Sequence, residues 1–320
     1  METQNDITRS AMGLGEWAYD RGEFVSATAP RLTLSTQGLH YGTGAFEGIR
    51  AHRRGDGLFL FRARDHYERM LRACRILRIT GVPDEVDDLI GITVELLRRN
   101  GHQGGAYVRP LVHKLALMPH MPPGVSLVGV SDALSITSFG FPTSRTVPGI
   151  RCMISSWRRP PRDAFPAQVK LTGGYVNCAL ASDEARAAGF DDAILLDQAG
   201  NVAEASTANV FAVLDGRIAT PPDTGDLLPG ITRDTLMTLC REAGMDVLER
   251  PLSPADLFTA DEVFLSSTGK GVVSVLSLSG RGIGSGTVGP VATRAAALYD
   301  TAKSSTDGAH PEWLTPVTPG

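Results

Sequence analysis

Residues 140–149, GFPTSRTVPG, cannot sit inside a continuous helix or a central strand. Pro142 and Pro148 each lack a backbone donor, and Gly149 adds a loose joint. Regular periodicity resumes on both sides, and 320 residues are enough for two cores of ordinary size. The expectation is a mixed α/β (α+β) chain in two parts: a small N-terminal α/β domain over 1–139, an interdomain loop over 140–149, and a larger C-terminal mixed domain over 150–320.

In the first part, Tyr67, Met70, Leu71, Cys74 and Leu77 recur at helical spacing over 65–77, with Asp65 as the expected N-cap. A second helix follows Pro83, carries Val86, Leu89, Ile90, Val94 and Leu97 on one side, and stops at Asn100-Gly101. Stretches 106–115 and 127–139 are rich in Val, Ile and Leu and read as strands. In the second part, 150–157 reads as a strand and 176–188 as a helix closed by Gly189. Short strands follow at 193–196, 202–204 and 209–214, and Asp215-Gly216 marks a tight hairpin into 217–220. A helix over 232–243 and strands near Val247 and Val263 complete this part. From about Ser304 the Pro-, Thr- and Gly-rich sequence predicts a frayed, flexible tail.

The formal net charge of −4 offers no polyelectrolyte attraction for nucleic acid or anionic lipid, so the expected partner is a small soluble molecule. Cys74, Cys152, Cys178 and Cys240 form no C-x-x-C or Cys/His pattern; neither zinc nor a disulfide framework is expected, and a reducing cytoplasm fits. The N-terminal METQNDITRSAMG lacks the apolar core of a signal peptide, and no run approaches the ~18 apolar residues of a spanning helix.

Of 31 basic residues only four are lysines, Lys114, Lys170, Lys270 and Lys303, which shortens the search for a reactive amine. Lys170, in AFPAQVKLTGGYVN, lies between Val169 and Leu171 and before Gly173-Gly174. Apolar surroundings lower a lysine's basicity, as a Schiff-base lysine needs, although an ordinary lysine with its head in solvent fits the same local sequence. In LLPGITRDTLMTLC, Pro229-Gly230 precede a helix whose first turn carries Ile231 and Thr232. Free N–H groups and a threonine hydroxyl there suit a phosphate, and a plain Pro-Gly turn with a Thr cap suits the same letters. Arg69, in DHYERM, could meet such an anion bidentately. Glu204, between Ala203 and Ala205, is a carboxylate in apolar company that needs a partner, such as a protonated ring nitrogen, unless it faces water. Arg109, in the alternating AYVRPLV, holds a substrate carboxylate if it points inward.

Together these residues resemble the class IV fold of pyridoxal-phosphate enzymes, most closely the branched-chain amino acid aminotransferases. The matching segments are GLHYGTGAFEGIRAH, FRARDHYERML, AYVRPLV, SSWRR, VKLTGGYVN, EARAAGFDDAILLDQAGNVAEASTANVFAV, LLPGITRD and DEVFLSSTGKG. They run in order from about residue 14 to 300.

The resemblance implies a pyridoxal 5′-phosphate transaminase in which Lys170 forms the Schiff base and moves the proton between substrate Cα and cofactor C4′. By the same resemblance, Glu204 pairs with the pyridine nitrogen and Tyr175 bonds the phenolic oxygen, while Arg69, Ile231, Thr232 and Thr268 bind the phosphate. Tyr41 and Phe46 match residues lining a pocket for an apolar side chain; Tyr107 and Arg109 match positions near the substrate carboxylates. Ser267, Thr268 and Gly269 stand where the family has Gly-Thr-Ala, a turn that receives the α-carboxylate. The implied reaction is a ping-pong exchange between an L-amino acid and 2-oxoglutarate, in a homodimer or larger homo-oligomer. HKLALMPHMPPG replaces the family's Gly-rich loop that reaches the neighbouring subunit, SFGFPTSR lacks a tyrosine near the pocket mouth, and Gly173-Gly174-Tyr175 replaces Gly-Asn-Tyr. A D-amino acid or (R)-amine transaminase, an aminodeoxychorismate-lyase-like enzyme, and a pathway-specific biosynthetic transaminase keep the same fold and cofactor. HYGTGAFEGIR favours the branched-chain group over the lyase and D-amino acid patterns. A non-catalytic relative would have no need of Lys170, Glu204, Tyr175 and Arg69 together.

Overall fold

The computed structural model describes residues 13–29, 32–115, 124–141, 149–304 and 309–317. Residues 116–123, which hold most of HKLALMPHMPPG, and 142–148, most of the expected interdomain connection, lie outside them. The chain forms two compact units: Met1–Ser144 with Val169–Gly173 and Lys303–Gly320, and Arg145–Gln168 with Gly174–Ala302. A division of the sequence at 140–149 differs from this one in two segments, 169–173 and 303–320, which belong with the first unit.

In chain order the first unit contains β1 (Trp17–Asp20), β2 (Glu23–Ser26), α1 (Gln37–Tyr41), β3 (Gly44–Phe46), β4 (Ile49–Arg54) and β5 (Gly57–Phe61). These are followed by α2 (Ala63–Leu77), α3 (Val86–Asn100), β6 (Gly105–Lys114) and β7 (Asp132–Phe141). The sheet runs Leu314–Pro316, β5, β4, β6, β7, β1, β2, with β3 also paired to β6, and every pairing is antiparallel. The apolar stripe predicted for α2 is buried: Tyr67, Met70, Cys74 and Leu77 are each at most 7% exposed. The Tyr67 and Thr93 hydroxyls bond to each other, tying α2 to α3. Gly101 closes α3 at φ 54°, the left-handed conformation a helix end favours.

Three sequence expectations change here. The N-cap of α2 is Arg62, not Asp65, because Asp65 lies in the first turn and accepts from the Arg62 guanidinium at 2.9 and 2.8 Å. The strand expected over 127–139 begins only at Asp132, since Gly129 turns to φ 78° and breaks the extended path. The tail is not frayed over 309–317. Leu314–Pro316 pairs with Phe59–Phe61, and the Trp313 ring meets Phe61 edge-on at 6.0 Å and stacks on His310 at 3.7 Å. A strand partner and a large aromatic to bury outweigh the loop-like composition.

The second unit contains β8 (Ile150–Arg158), α4 (Tyr175–Ala187), β9 (Asp192–Leu196), β10 (Val202–Ala205), β11 (Asn209–Leu214) and β12 (Arg217–Thr220). It continues with α5 (Ile231–Glu242), β13 (Val247–Glu249), α6 (Pro254–Thr259), β14 (Glu262–Ser267), β15 (Gly271–Leu278), β16 (Arg281–Gly282) and α7 (Pro290–Ser304). The sheet order is β10, β9, β8, β15, β14, β11, β12, β13, with β16 on β15; β8 runs parallel to both its neighbours. The β11–β12 hairpin turns through Asp215 (φ 50°) and Gly216 (φ 74°), the paired positive angles that Asp-Gly favours. Ile194, Leu196, Val210, Val263, Leu265 and Val275 pack into one core cluster, a close-packed floor for the strand ends.

Candidate active site

Lys114 and Lys270 are held in ion pairs. Lys114 is buried and donates to Asp132 Oδ2 at 2.9 Å and the Arg78 carbonyl at 2.6 Å; Lys270 meets Asp192 at 3.2 Å. Lys303 lies in the last turn of α7. Lys170 is placed differently: its Nζ lies 5.0 Å from the centroid of the Phe46 ring, between the buried Val169 and Leu171.

The backbone around Lys170 is clipped to the segment before β4. Phe46 N–H donates to the Lys170 carbonyl at 3.0 Å, and Gly173 N–H to the Gly42 carbonyl at 3.2 Å. The Thr172 hydroxyl donates to the Gly42 and Gly44 carbonyls at 2.7 and 3.1 Å, and Ala45 bridges Leu171. Gly42 adopts φ 65°, and a Cβ there would lie 2.7 Å from Gly173 Cα. Glycine at 42 is therefore what allows the two backbones to meet.

The Phe46 ring also faces Arg109, whose guanidinium carbon lies 4.6 Å from the ring centroid. Arg109 Nη2 donates to the Tyr107 hydroxyl at 2.9 Å, and its buried Nε has no hydrogen-bond partner among the described residues. A Cβ at Gly48 would lie 1.9 Å from that hydroxyl, so glycine makes the room. Lys170, Phe46, Tyr107 and Arg109 thus gather around one aromatic ring, a cationic and apolar group of side chains suited to a carboxylate or a hydrocarbon chain. Tyr41 is the last residue of α1 and is 40% exposed.

Arg69 is buried and engaged by Glu47, Nε to Oε1 at 2.7 Å and Nη2 to Oε2 at 2.8 Å. His66 Nδ1 lies 2.7 Å from Glu47 Oε2. Burial works to raise the Glu47 carboxyl, but the Arg69 guanidinium and His66 outweigh it and hold the group well below the usual carboxylate range. An ionised carboxylate only accepts, so His66 carries its proton on Nδ1. Burial pushes the His66 pKa down, against the pull of Glu47. Glu47 carries no signal in the sequence because its partners lie 19 and 22 residues away.

In the second unit Glu204 is 6% exposed, with Arg159 Nε 3.0 Å from Oε1 and the Leu228 N–H donating to Oε2 at 3.3 Å. Arg159, from SSWRR, donates to Asn177 Oδ1 at 3.1 Å. Asn209 links this carboxylate to the α5 entry: its side chain donates to the Leu228 carbonyl at 2.9 Å, and a Cβ at Gly230 would lie 2.0 Å from its Oδ1. Asn209 also faces Ser266 across the β11–β14 pairing, next to Ser267. Glu204, Ile231 and Thr232 at the start of α5, and the Ser267–Gly269 turn therefore share one end of this sheet. Gly230 has no side chain to cap α5, whereas Glu262 accepts from Val291 and Ala292 N–H at the start of α7 and Ser253 caps α6. Tyr175 is the first residue of α4, and Phe165 fills the space where a Cβ at Gly174 would lie 2.5 Å from its ring.

The amino-transferase class IV family model matches residues 44–278. The probable branched-chain-amino-acid aminotransferase of Aquifex aeolicus (strain VF5) is 36% identical over 308 residues, 94% of this chain and 97% of the relative. A branched-chain amino acid aminotransferase from T.th., solved in complex with N-(5′-phosphopyridoxyl)-L-glutamate, is 35% identical, with a TM-score of 0.88 over 95% of this chain and 99% of its own. The branched-chain aminotransferase of Thermoproteus uzoniensis, solved with norvaline, is 33% identical, with a TM-score of 0.87 over 95% and 100% of the two chains.

Proposed function

The chain belongs to the class IV aminotransferases, and from that premise we propose that it moves an amino group between a branched-chain or similarly apolar L-amino acid and 2-oxoglutarate, with pyridoxal 5′-phosphate as carrier. The observation that carries this reading is Lys170 held against the Phe46 ring that also faces Arg109. The Phe46 ring would offer hydrocarbon to an apolar side chain while the adjoining Arg109 guanidinium would meet the second carboxylate of the acceptor. The two solved relatives were captured with an L-glutamate adduct and with norvaline, the two kinds of side chain this face would have to take.

The residues present fit the cofactor. The entry of α5, where Gly230 brings no side-chain cap, suits a phosphate, with Ile231, Thr232 and Thr268 as proposed donors and Arg69 as a proposed charge partner. Glu204 would hold the pyridine nitrogen protonated, and Arg159 and the Leu228 N–H fix the direction of its carboxylate. Tyr175 would donate to the phenolic oxygen. When bound, the cofactor supplies an electron sink for charge released at substrate Cα. Lys170 would supply the amine that anchors it and would serve as the base that moves the proton at substrate Cα. Tyr41, Phe46 and Tyr107 would line the side-chain pocket, Arg109 would bind a distal carboxylate, and Ser267 and Gly269 would receive the α-carboxylate.

Exposed Leu32, Leu34 and Leu39 on one segment and Val125 and Val128 on another support a homodimer. Gln37, which donates to the Ser126 carbonyl at 2.8 Å, ties the two segments together. No helix of the described residues is long and apolar enough to cross a membrane, and a cytoplasmic setting is part of the same proposal. An assay of L-leucine with 2-oxoglutarate tests the reading: it should yield L-glutamate and the branched keto acid, and D-alanine or an (R)-amine should yield nothing. Turnover of the latter two alone would overturn the substrate.

A further inference from the structure

Outside the residues assigned above, the second unit holds a buried carboxylate that spans two of its working segments. Asp192, at the start of β9, is 2% exposed. Its Oδ1 accepts from the Ser206 hydroxyl and from the Ala193 N–H at 2.8 Å, and its Oδ2 accepts from Lys270 Nζ at 3.2 Å. Ser206 is itself 5% exposed, whereas the Lys270 side chain is 44% exposed.

The partners of Asp192 are placed to matter. Ser206 comes two residues after Glu204, and its N–H donates to the Ala193 carbonyl at 3.0 Å. Lys270 closes a tight turn: β14 and β15 pair through Ser267 and Gly271, so only Thr268, Gly269 and Lys270 lie between them. Ser267 Oγ accepts the Lys270 N–H at 3.2 Å, which restrains the turn from within, and the Lys270 ammonium reaching Asp192 restrains it from outside. Backbone donors that receive an anion must hold their direction, because displacements of about 1 Å are costly to binding and rate.

We propose that Asp192 is a positioning residue that joins the two segments with which the second unit holds cofactor and substrate: through Ser206 it steadies the Glu204 strand end, and through Lys270 it sets the Thr268–Gly269 turn. The proposal rests on the reading of Thr268 and Gly269 as anion receptors. A buried carboxylate is costly unless partnered, and here the partners come from the two segments that must be kept in register.

The test uses the full chain and the variants Lys270→Met, Lys270→Arg, Asp192→Asn and Ser206→Ala, with two readouts: pyridoxal phosphate uptake by the apoprotein, and kcat and KM for L-leucine. Lys270→Met should raise KM and weaken cofactor uptake by about fivefold each with kcat within about twofold, and Lys270→Arg should restore both. Ser206→Ala should weaken uptake in the same sense. Adding Lys270→Met to Asp192→Asn should cost nothing further, because the first change has already removed the pair. Wild-type uptake and KM in Lys270→Met, equal impairment in Lys270→Arg, or additive losses in the double variant would each overturn the proposal. Lys270 is half-exposed, so its variants fold even if Asp192→Asn does not. If the unaltered protein transaminates nothing, the functional reading fails on that result alone, and cofactor uptake still decides the role of Asp192.

Discussion

The Phe46 N–H donates to the carbonyl of Lys170 at 3.0 Å, while the ring of Phe46 lies 5.0 Å from the Lys170 ammonium. One residue therefore fixes the lysine's backbone and faces its charge. A cation over an aromatic face is worth about 0.5–2 kcal/mol, rising as water is excluded. The backbone clip gives that contact its direction.

The clip depends on Gly42. With φ at 65° and Gly173 Cα 2.7 Å from a would-be Cβ, Gly42→Ala must push the 169–173 segment away. The variant should lose about 1–3 kcal/mol of stability and a larger share of turnover than that loss explains. A thermal melt and a kcat both at wild-type level would contradict it.

Glu204 and Arg159 should respond unequally. Glu204→Gln keeps the shape of the side chain and should fold while turning over more slowly, because a neutral amide cannot hold a ring nitrogen protonated. Arg159→Met leaves the Glu204 carboxylate buried with fewer partners, and should destabilise by about 3–5 kcal/mol. Combining the two should return part of that stability. Additive melts would place the two groups out of contact.

Acid should destabilise the first unit. Burial holds the His66 pKa below its ordinary 6.5, and Arg69 with His66 holds Glu47 below its ordinary 4.5. The unfolded chain therefore binds more protons than the folded one, so stability falls as pH falls. The loss begins below the ordinary histidine value and steepens below the ordinary glutamate value. Burial lowers His102 and His113 in the same sense, so His66→Gln should reduce, not abolish, the drop in melting temperature between pH 7 and 5.5. A melting temperature that rises over this interval would contradict the assignment.

Arg109→Ala should raise KM for L-glutamate and 2-oxoglutarate by roughly tenfold or more, the worth of one charge-assisted hydrogen bond, and alter KM for L-leucine far less. Equal effects on both substrate kinds would place Arg109 away from the distal carboxylate.

The helices and most strands of the second unit are legible in the sequence because their periodicity is local: the Asp215-Gly216 hairpin and the Gly101 and Gly189 stops all fall where expected. β1 to β5 are not legible, since they are short: β1–β2 and β4–β5 are local hairpins of few residues, and β3 and β4 also depend on pairing with the distant β6. The arginines near their turns, Arg21 at φ 49° and Arg53-Arg54 before Gly55, carry no turn signal of their own except that glycine. Trp313 looks like part of a tail until Phe61 gives it a surface to cover. The individual site positions are readable as motifs, whereas Glu47, Arg159, Asn209 and Asp192 are not. Each of these acts on a neighbour distant in sequence, and only the folded chain makes the pairing visible.

The most direct measurement is the visible absorption spectrum of the purified protein with pyridoxal phosphate, for the unaltered chain and for Lys170→Ala, before and after L-leucine. The account predicts a Schiff-base band in the unaltered protein that L-leucine bleaches and 2-oxoglutarate restores, and no such cycle in Lys170→Ala. A band of equal strength and the same cycle in both proteins would contradict the assignment of Lys170.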